Sequence, residues 1–168
     1  MLFEFYPWTI EADSEKTKAF FKKHDISVDR DVNRRFIKAL TENQLAFFES
    51  LGVDPERIYI DEQEYCIPPE DGMPECQLFK MSIHFLICGE FKALPQFQKS
   101  LYSDPDFFGD ELPKDLKIVK SQEDDLPSYD VDGLKFVFKH PKFRNNNPMF
   151  DSWNCGYILV SSLVIKDS

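Results

Sequence analysis

The residues that could carry catalysis or hold a metal are few in this chain and lie far apart in the sequence. The histidines are His24, His84 and His140, and the cysteines are Cys66, Cys76, Cys88 and Cys155. No two cysteines have the C-x-x-C spacing typical of zinc sites and redox motifs. The sequence also contains no glycine-rich phosphate-binding loop, no G-x-S-x-G elbow and no H-E-x-x-H motif. It therefore predicts neither a metal nor a cofactor.

One function that the sequence leaves open is that of a small hydrolase, whose active site would assemble Asp, His and Cys residues from distant parts of the chain. Cys155 with His140 is one such pair, because a thiol nucleophile needs an adjacent base. His84 lies within an apolar segment, where a hydrogen-bonded core histidine is more common than a catalytic base. Residues 1–6 show no basic region typical of a signal peptide, so a cytoplasmic location and reduced thiols are expected.

Carboxylates dominate the charge of the chain. Asp and Glu number 30 against 20 Lys and Arg, which gives a net charge of -10 and a pI of about 4.8. The acids are concentrated in two acidic blocks, residues 52–79 and residues 102–134, each with a net charge of -7. An acidic surface repels phosphates and attracts basic proteins. A basic protein partner is therefore expected, and direct nucleic-acid binding is not.

Aromatic residues stand among these carboxylates, as they do in tight protein interfaces. The predicted partner-binding residues are Asp61, Glu62, Glu64, Glu70 and Asp71 in the first block, and Asp104, Asp106, Phe107, Asp110, Glu123, Asp124 and Asp125 in the second. A different interpretation of the same residues is that acidic loops keep an aromatic-rich protein soluble. The chain would then be a structural or scaffold domain.

Helical patterns cluster in the first third of the chain, and strand patterns follow. Helices are predicted over residues 14–24, 30–40 and 42–51, the last opened by a capping box at Thr41 and Gln44. Strands are predicted over residues 2–10, 78–88, 117–119 and 153–165, with a hairpin over 131–139, an exposed turn at 61–64, a loop at 66–76 and a short helix at 95–102.

This order of elements favours one α+β domain over residues 1–168, with N-terminal helices packed on a largely antiparallel sheet. The predicted core includes Phe48, Ile83, Phe85, Ile87, Tyr157 and Leu159. No apolar run approaches the roughly 18 to 20 residues that span a bilayer, so no membrane association is predicted.

In size, acidity and aromatic-rich acidic loops, at residues 61–75 and 104–129, the chain resembles the small acidic immunity proteins of bacterial contact-dependent and polymorphic toxin systems. The resemblance lies in overall character and matches no motif, so it assigns no residue. It implies a cytoplasmic single domain that binds a cognate toxin domain, commonly a basic nuclease, and blocks its active site.

Overall fold

The computed structural model describes residues 1–72, 76–96, 115–120, 127–139 and 156–167. The helices are α1 (Ser14–Lys23), α2 (Arg30–Lys38) and α3 (Glu42–Ser50). The strands are β1 (Leu2–Phe5), β2 (Trp8–Ala12), β3 (Tyr59–Ile67), β4 (Cys76–Pro95), β5 (Lys117–Val119), β6 (Tyr129–Val131), β7 (Leu134–Lys139) and β8 (Tyr157–Asp167). The predicted α+β class, with helices in the N-terminal part, is confirmed.

The three helices begin and end where local sequence signals place them. The Asp13 carboxylate accepts a hydrogen bond from the Lys16 amide and caps α1. At α3, Thr41 and Gln44 form the predicted capping box, with each side chain bonded to the other residue's backbone N–H. This helix stops at Gly52, whose positive φ of 76° suits a helix C-terminus.

The strand β4 organises the sheet, because it pairs with four other strands along its 20 residues. Its first part pairs with β3 and β8, and its second part pairs with β2 and β5. In the part of the chain that is described, eight strands form one sheet, and β4 with β5 is its parallel pair. The remaining pairs are antiparallel, as predicted.

β4 exchanges β3 for β2 between His84, the last residue paired with β3, and Gly89, the first residue paired with β2. Gly89 lies so close to β2 that a Cβ would stand 2.6 Å from the Glu11 carbonyl oxygen. The Cys88 amide donates to the Thr17 hydroxyl of α1 at 3.0 Å, and that hydroxyl donates to the Asp13 carbonyl at 3.1 Å. The start of α1 thus fills the gap between the two strands and satisfies a buried backbone donor.

All three helices pack on one face of the sheet, and the core lies between the two layers. Phe48 of α3 contacts the rings of Phe85 and Phe136. The predicted burial of Phe48, Ile83, Phe85 and Ile87 is confirmed. Tyr157 and Leu159, predicted to be mostly inaccessible, are only partly buried, because β8 pairs Ile158 with Ile87 and Val160 with Phe85. Ile158 and Val160 are therefore the fully buried residues, whereas Tyr157 and Leu159 alternate with them and are half-buried, with Tyr157 packed against the core.

Three predicted boundaries need correction. Residues 2–10 are not one strand, since the chain turns at Tyr6 and Pro7, and Pro7 has no N–H to donate to a strand ladder. Residues 61–64 are not a turn but the middle of β3, paired residue for residue with β4. The strand predicted over 78–88 continues through Gly89 to Pro95. Residues 97–102 of the predicted helix lie outside the described residues.

Replacing Phe85 with Ala should lower the free energy of unfolding by about 3 to 5 kcal/mol, because a fully buried ring would leave a cavity. Leu163 of β8 is the matched control, since it lies on the opposite face and is 53% exposed. Leu163→Ala should cost less than about 1 kcal/mol in the same urea titration. Equal losses for the two variants would contradict the assigned facing of the sheet.

Replacing Thr17 with Val should cost about 1 to 3 kcal/mol, because the isosteric side chain leaves the buried Cys88 amide without its acceptor. Thr17→Ser keeps the hydroxyl and removes only a methyl group, so it should retain most of the stability. Urea unfolding of both variants measures the difference. If the valine variant were at least as stable as the serine variant, the hydrogen bond would not hold the junction.

Candidate partner-binding site

The predicted partner-binding residues of the first acidic block lie on β3 and on the residues that follow it. We call residues 61–72 the acidic arm, which comprises the outer part of β3 and the residues that follow it. Five predicted partner-binding residues lie in it, namely Asp61, Glu62, Glu64, Glu70 and Asp71. No basic residue occurs between Arg57 and Lys80 in the sequence. The arm is therefore acidic throughout.

The pleat of β3 distributes its carboxylates over both faces of the sheet. Glu62 is paired with Met81 and Glu64 with Phe79, on the face that carries the helices. Asp61 is paired with Ser82 and lies on the opposite face. Along a strand, these three residues fall within about 7 to 10 Å, roughly one Debye length at physiological salt, so their fields add.

Glu62 is held at the base of the arm by a cation on α2. The Arg35 guanidinium donates to its carboxylate at 3.4 Å. The Arg35 side chain remains 66% exposed and that of Glu62 25% exposed. Farther along the arm, Glu64, Glu70 and Asp71 are all exposed. The outer carboxylates thus face solvent, whereas Glu62 marks the boundary with the helical layer.

The second acidic block contributes seven of the predicted partner-binding residues. Asp104, Asp106, Phe107, Asp110, Glu123, Asp124 and Asp125 lie outside the described residues. Asp132 also belongs to that block and lies within the described residues, although the sequence did not predict it as a partner-binding residue. It occupies the turn between β6 and β7, where Asp132 and Gly133 have φ values of 51° and 91°, typical of a type I′ hairpin.

Asp132 is fixed against the start of α3 by hydrogen bonds. The Thr41 hydroxyl donates to its Oδ2 at 2.7 Å, and the Gln44 side-chain amide donates to the carbonyls of Val131 and Asp132. The sequence signal for this acid was the Asp-Gly turn, which predicts a hairpin but not its contact with a helix cap 91 residues away. Sequence reasoning therefore missed Asp132 as a site residue.

A groove of about 600 Å³ opens between the helices and the sheet at the base of the acidic arm. Its floor is apolar, formed by Phe36, Leu40, Phe79, Met81, Leu134 and Val164. Arg35, Glu62 and Asp132 are the charged residues among those that line it. The groove thus brings one carboxylate from each acidic block to the edge of the same apolar surface.

The residues considered for catalysis are not brought together where they are described. His84 and Cys88 lie on the same strand four residues apart, which places them about 13 Å from each other. Cys88 is buried and Cys66 is exposed near the outer end of β3. No cluster of His, Cys, Asp and Glu suited to a metal occurs among the described residues. His140 and Cys155 lie outside them.

The chain matches no protein-family model, no curated protein and no solved structure. Within the described ranges, none of the helices has the length and apolar character needed to cross a bilayer. The proposals below therefore rest on the geometry and charge of the chain itself.

His84 should titrate below its ordinary pKa of 6.5, because burial penalises the imidazolium and Lys139 adds a repulsive charge. The fold then favours neutral His84, so this residue's contribution to stability is present above pH 6.5 and is lost as the pH falls through the lowered pKa. NMR titration of the imidazole measures the pKa directly. Lys139→Gln should raise it, and a value at or above 6.5 in the unmodified protein would contradict this prediction.

Proposed function

We propose that this protein binds a basic protein partner through the acidic arm and acts as a cytoplasmic immunity protein. In this role it blocks a cognate toxin domain, such as a basic nuclease. The observation that carries the proposal is the placement of five carboxylates, three of them exposed and two half-buried, on one segment without basic residues, residues 61–72. We include the predicted acids of the second block, from Asp104 to Asp125, as further partner-binding residues in this proposal.

The arm has the electrostatic properties that such an inhibitor needs. A nuclease binds phosphates through Lys and Arg side chains, and closely spaced carboxylates compete for the same cations. Exposed charges of one sign also raise the association rate, because they steer a partner of opposite charge before contact. The exposed Glu64, Glu70 and Asp71 suit steering, whereas Glu62, partly shielded beside Arg35, suits a contact that forms on binding.

The acidic strand has a second physical explanation. Within the described residues β3 pairs with β4 alone, so it is an edge strand, and charges on edge strands prevent sheets from pairing edge to edge. In that case the acids serve solubility, and the chain is a scaffold domain or carries an activity located elsewhere. Binding and solubility respond differently to charge reversal, which makes the two explanations separable.

The deciding experiment reverses the charge of Glu64, Glu70 and Asp71 to Lys in one variant. A matched control reverses Glu4, Glu15 and Glu49, which are also exposed, so that both variants change the net charge equally. Each protein is used to capture partners from the lysate of the producing cells. Association rates with the captured protein are then measured from about 0.01 to 0.15 M salt.

We expect the arm variant to associate about ten- to a hundredfold more slowly than the unmodified protein at low salt. The control variant should keep most of the rate, and all three proteins should melt at similar temperatures. The captured partner should be basic, and its toxicity should return when only the arm variant is co-expressed. If the arm variant binds and protects like the control, but precipitates, the carboxylates serve solubility and the proposal is wrong.

A further inference from the structure

The groove at the base of the acidic arm combines an apolar floor with an acidic margin. Its volume of about 600 Å³ falls within the range of about 300 to 1,000 Å³ typical of binding clefts. Phe36 of α2 contributes to the floor from one side, and Phe79, Met81 and Val164 contribute from the sheet. An apolar surface of this size gains free energy when an apolar side chain displaces water from it.

The charged residues of the margin differ in how they are held. Asp132 accepts one hydrogen bond, from Thr41, through Oδ2. Since a carboxylate has about four acceptor positions, it retains capacity for an incoming cation. Glu62 is shared with Arg35 at 3.4 Å. Beyond Glu62, the exposed Glu64 continues the acidic margin onto the arm, so acids outnumber bases around the opening.

These features select one kind of occupant by charge and polarity. An acidic ligand would be repelled by Glu62 and Asp132, and a wholly polar ligand would gain nothing from the floor. A segment with apolar side chains on one side and Lys or Arg beside them satisfies both surfaces. Amphipathic helices that dock in grooves present this arrangement.

We propose that the groove receives a basic amphipathic segment of the partner, whose apolar side chains rest on Phe36, Phe79 and Met81 and whose cations contact Glu62 and Asp132. This inference rests on the proposed function, because it assigns the groove as the anchoring point of the partner steered by the acidic arm. Carboxylates of the arm then govern the association rate, and the apolar floor governs the dissociation rate.

The test uses synthetic peptides as probes with the full chain. The first peptide has leucines at helical spacing on one face and lysines on the other. Two control peptides replace every leucine by serine or every lysine by glutamate. Fluorescence anisotropy measures affinity, and NMR shift changes in the isotope-labelled protein locate the bound peptide.

Two variants separate the groove from the rest of the surface. Ala39 is exposed and lines the groove, so Ala39→Trp fills it without changing charge. Leu45→Trp is the matched control, because Leu45 is exposed on α3 but does not line this groove. Asp132→Asn removes one charge while keeping an acceptor for Thr41, and Asn also tolerates positive φ.

The leucine–lysine peptide should bind the unmodified protein and shift resonances of the groove residues. Ala39→Trp should weaken it about tenfold, as expected for an anchor that loses its pocket, and Leu45→Trp should not. Asp132→Asn should weaken binding about three- to fivefold, mostly at low salt. Neither the serine nor the glutamate peptide should bind in the groove.

The inference is overturned if no leucine–lysine peptide binds, if the serine–lysine peptide binds equally well, or if Ala39→Trp has no effect. Any of these results leaves the arm experiment unaffected, since that experiment reverses Glu64, Glu70 and Asp71 outside the groove lining. Conversely, the peptide could bind in the groove while the arm variant associated with the partner as fast as the unmodified protein. That result would retain the groove as a peptide site and reject the arm as the steering surface. The two proposals therefore fail separately.

Discussion

The fold depends on the exchange of partners that β4 makes between His84 and Gly89. A 20-residue strand that continued beside β3 would have no place for the N-terminal hairpin of β1 and β2. The absence of a side chain at Gly89 admits the backbone of Glu11 and Ala12, and the Thr17 hydroxyl accepts from the Cys88 amide, which lies between the residues paired with β3 and those paired with β2. These two residues let β2 and β3 share one side of β4, with α1 inserted between them.

The position of the candidate site follows from that junction. Because β2 and the start of α1 lie beside the second half of β4, β3 pairs with its first half, and the acidic arm continues beyond Glu62 as a largely exposed segment. The helices cover Ile60 but end at the level of Glu62, where Arg35 of α2 reaches the strand. The described helices therefore leave the sheet partly uncovered beyond this ion pair, and the buried and half-buried apolar side chains there form the floor of the groove.

Local signals in the sequence were sufficient to predict most helices and strands. They did not predict which face of a strand is buried or which strands pair. The capping box at Thr41 and the Asp132–Gly133 turn depend on a few neighbouring residues, so their patterns predict them directly. In β8, Tyr157, Ile158, Leu159 and Val160 are all apolar, so alternation does not identify the buried pair. Only the register against β4 decides it.

The site was predictable to a similar degree, and for the same reason. Charge is additive along the chain, so the acidic arm could be located from composition, but the assignment of residues 61–64 to a turn placed their carboxylates together. The strand places Asp61 and Glu62 on opposite faces. The meeting of Glu62 with Asp132 in one groove joins residues 70 positions apart. No local pattern encodes this arrangement, which arises because β4 pairs with both β3 and β8, and β8 pairs with β7.

The Arg35–Glu62 pair shows how such a groove can be ready for a basic partner without being unstable alone. An unpaired Glu62 beside an apolar floor would be partly desolvated, which is costly, and Arg35 relieves that cost. The pair remains largely exposed on the arginine side, and ion pairs of this kind are worth only about 0 to 1 kcal/mol. An incoming Lys or Arg can therefore replace Arg35 at little expense, and Arg35 returns to water. In the proposed complex, burial of apolar side chains on the groove floor would then remain as the net driving force, so that the carboxylates would select the partner and the floor would set its dissociation rate.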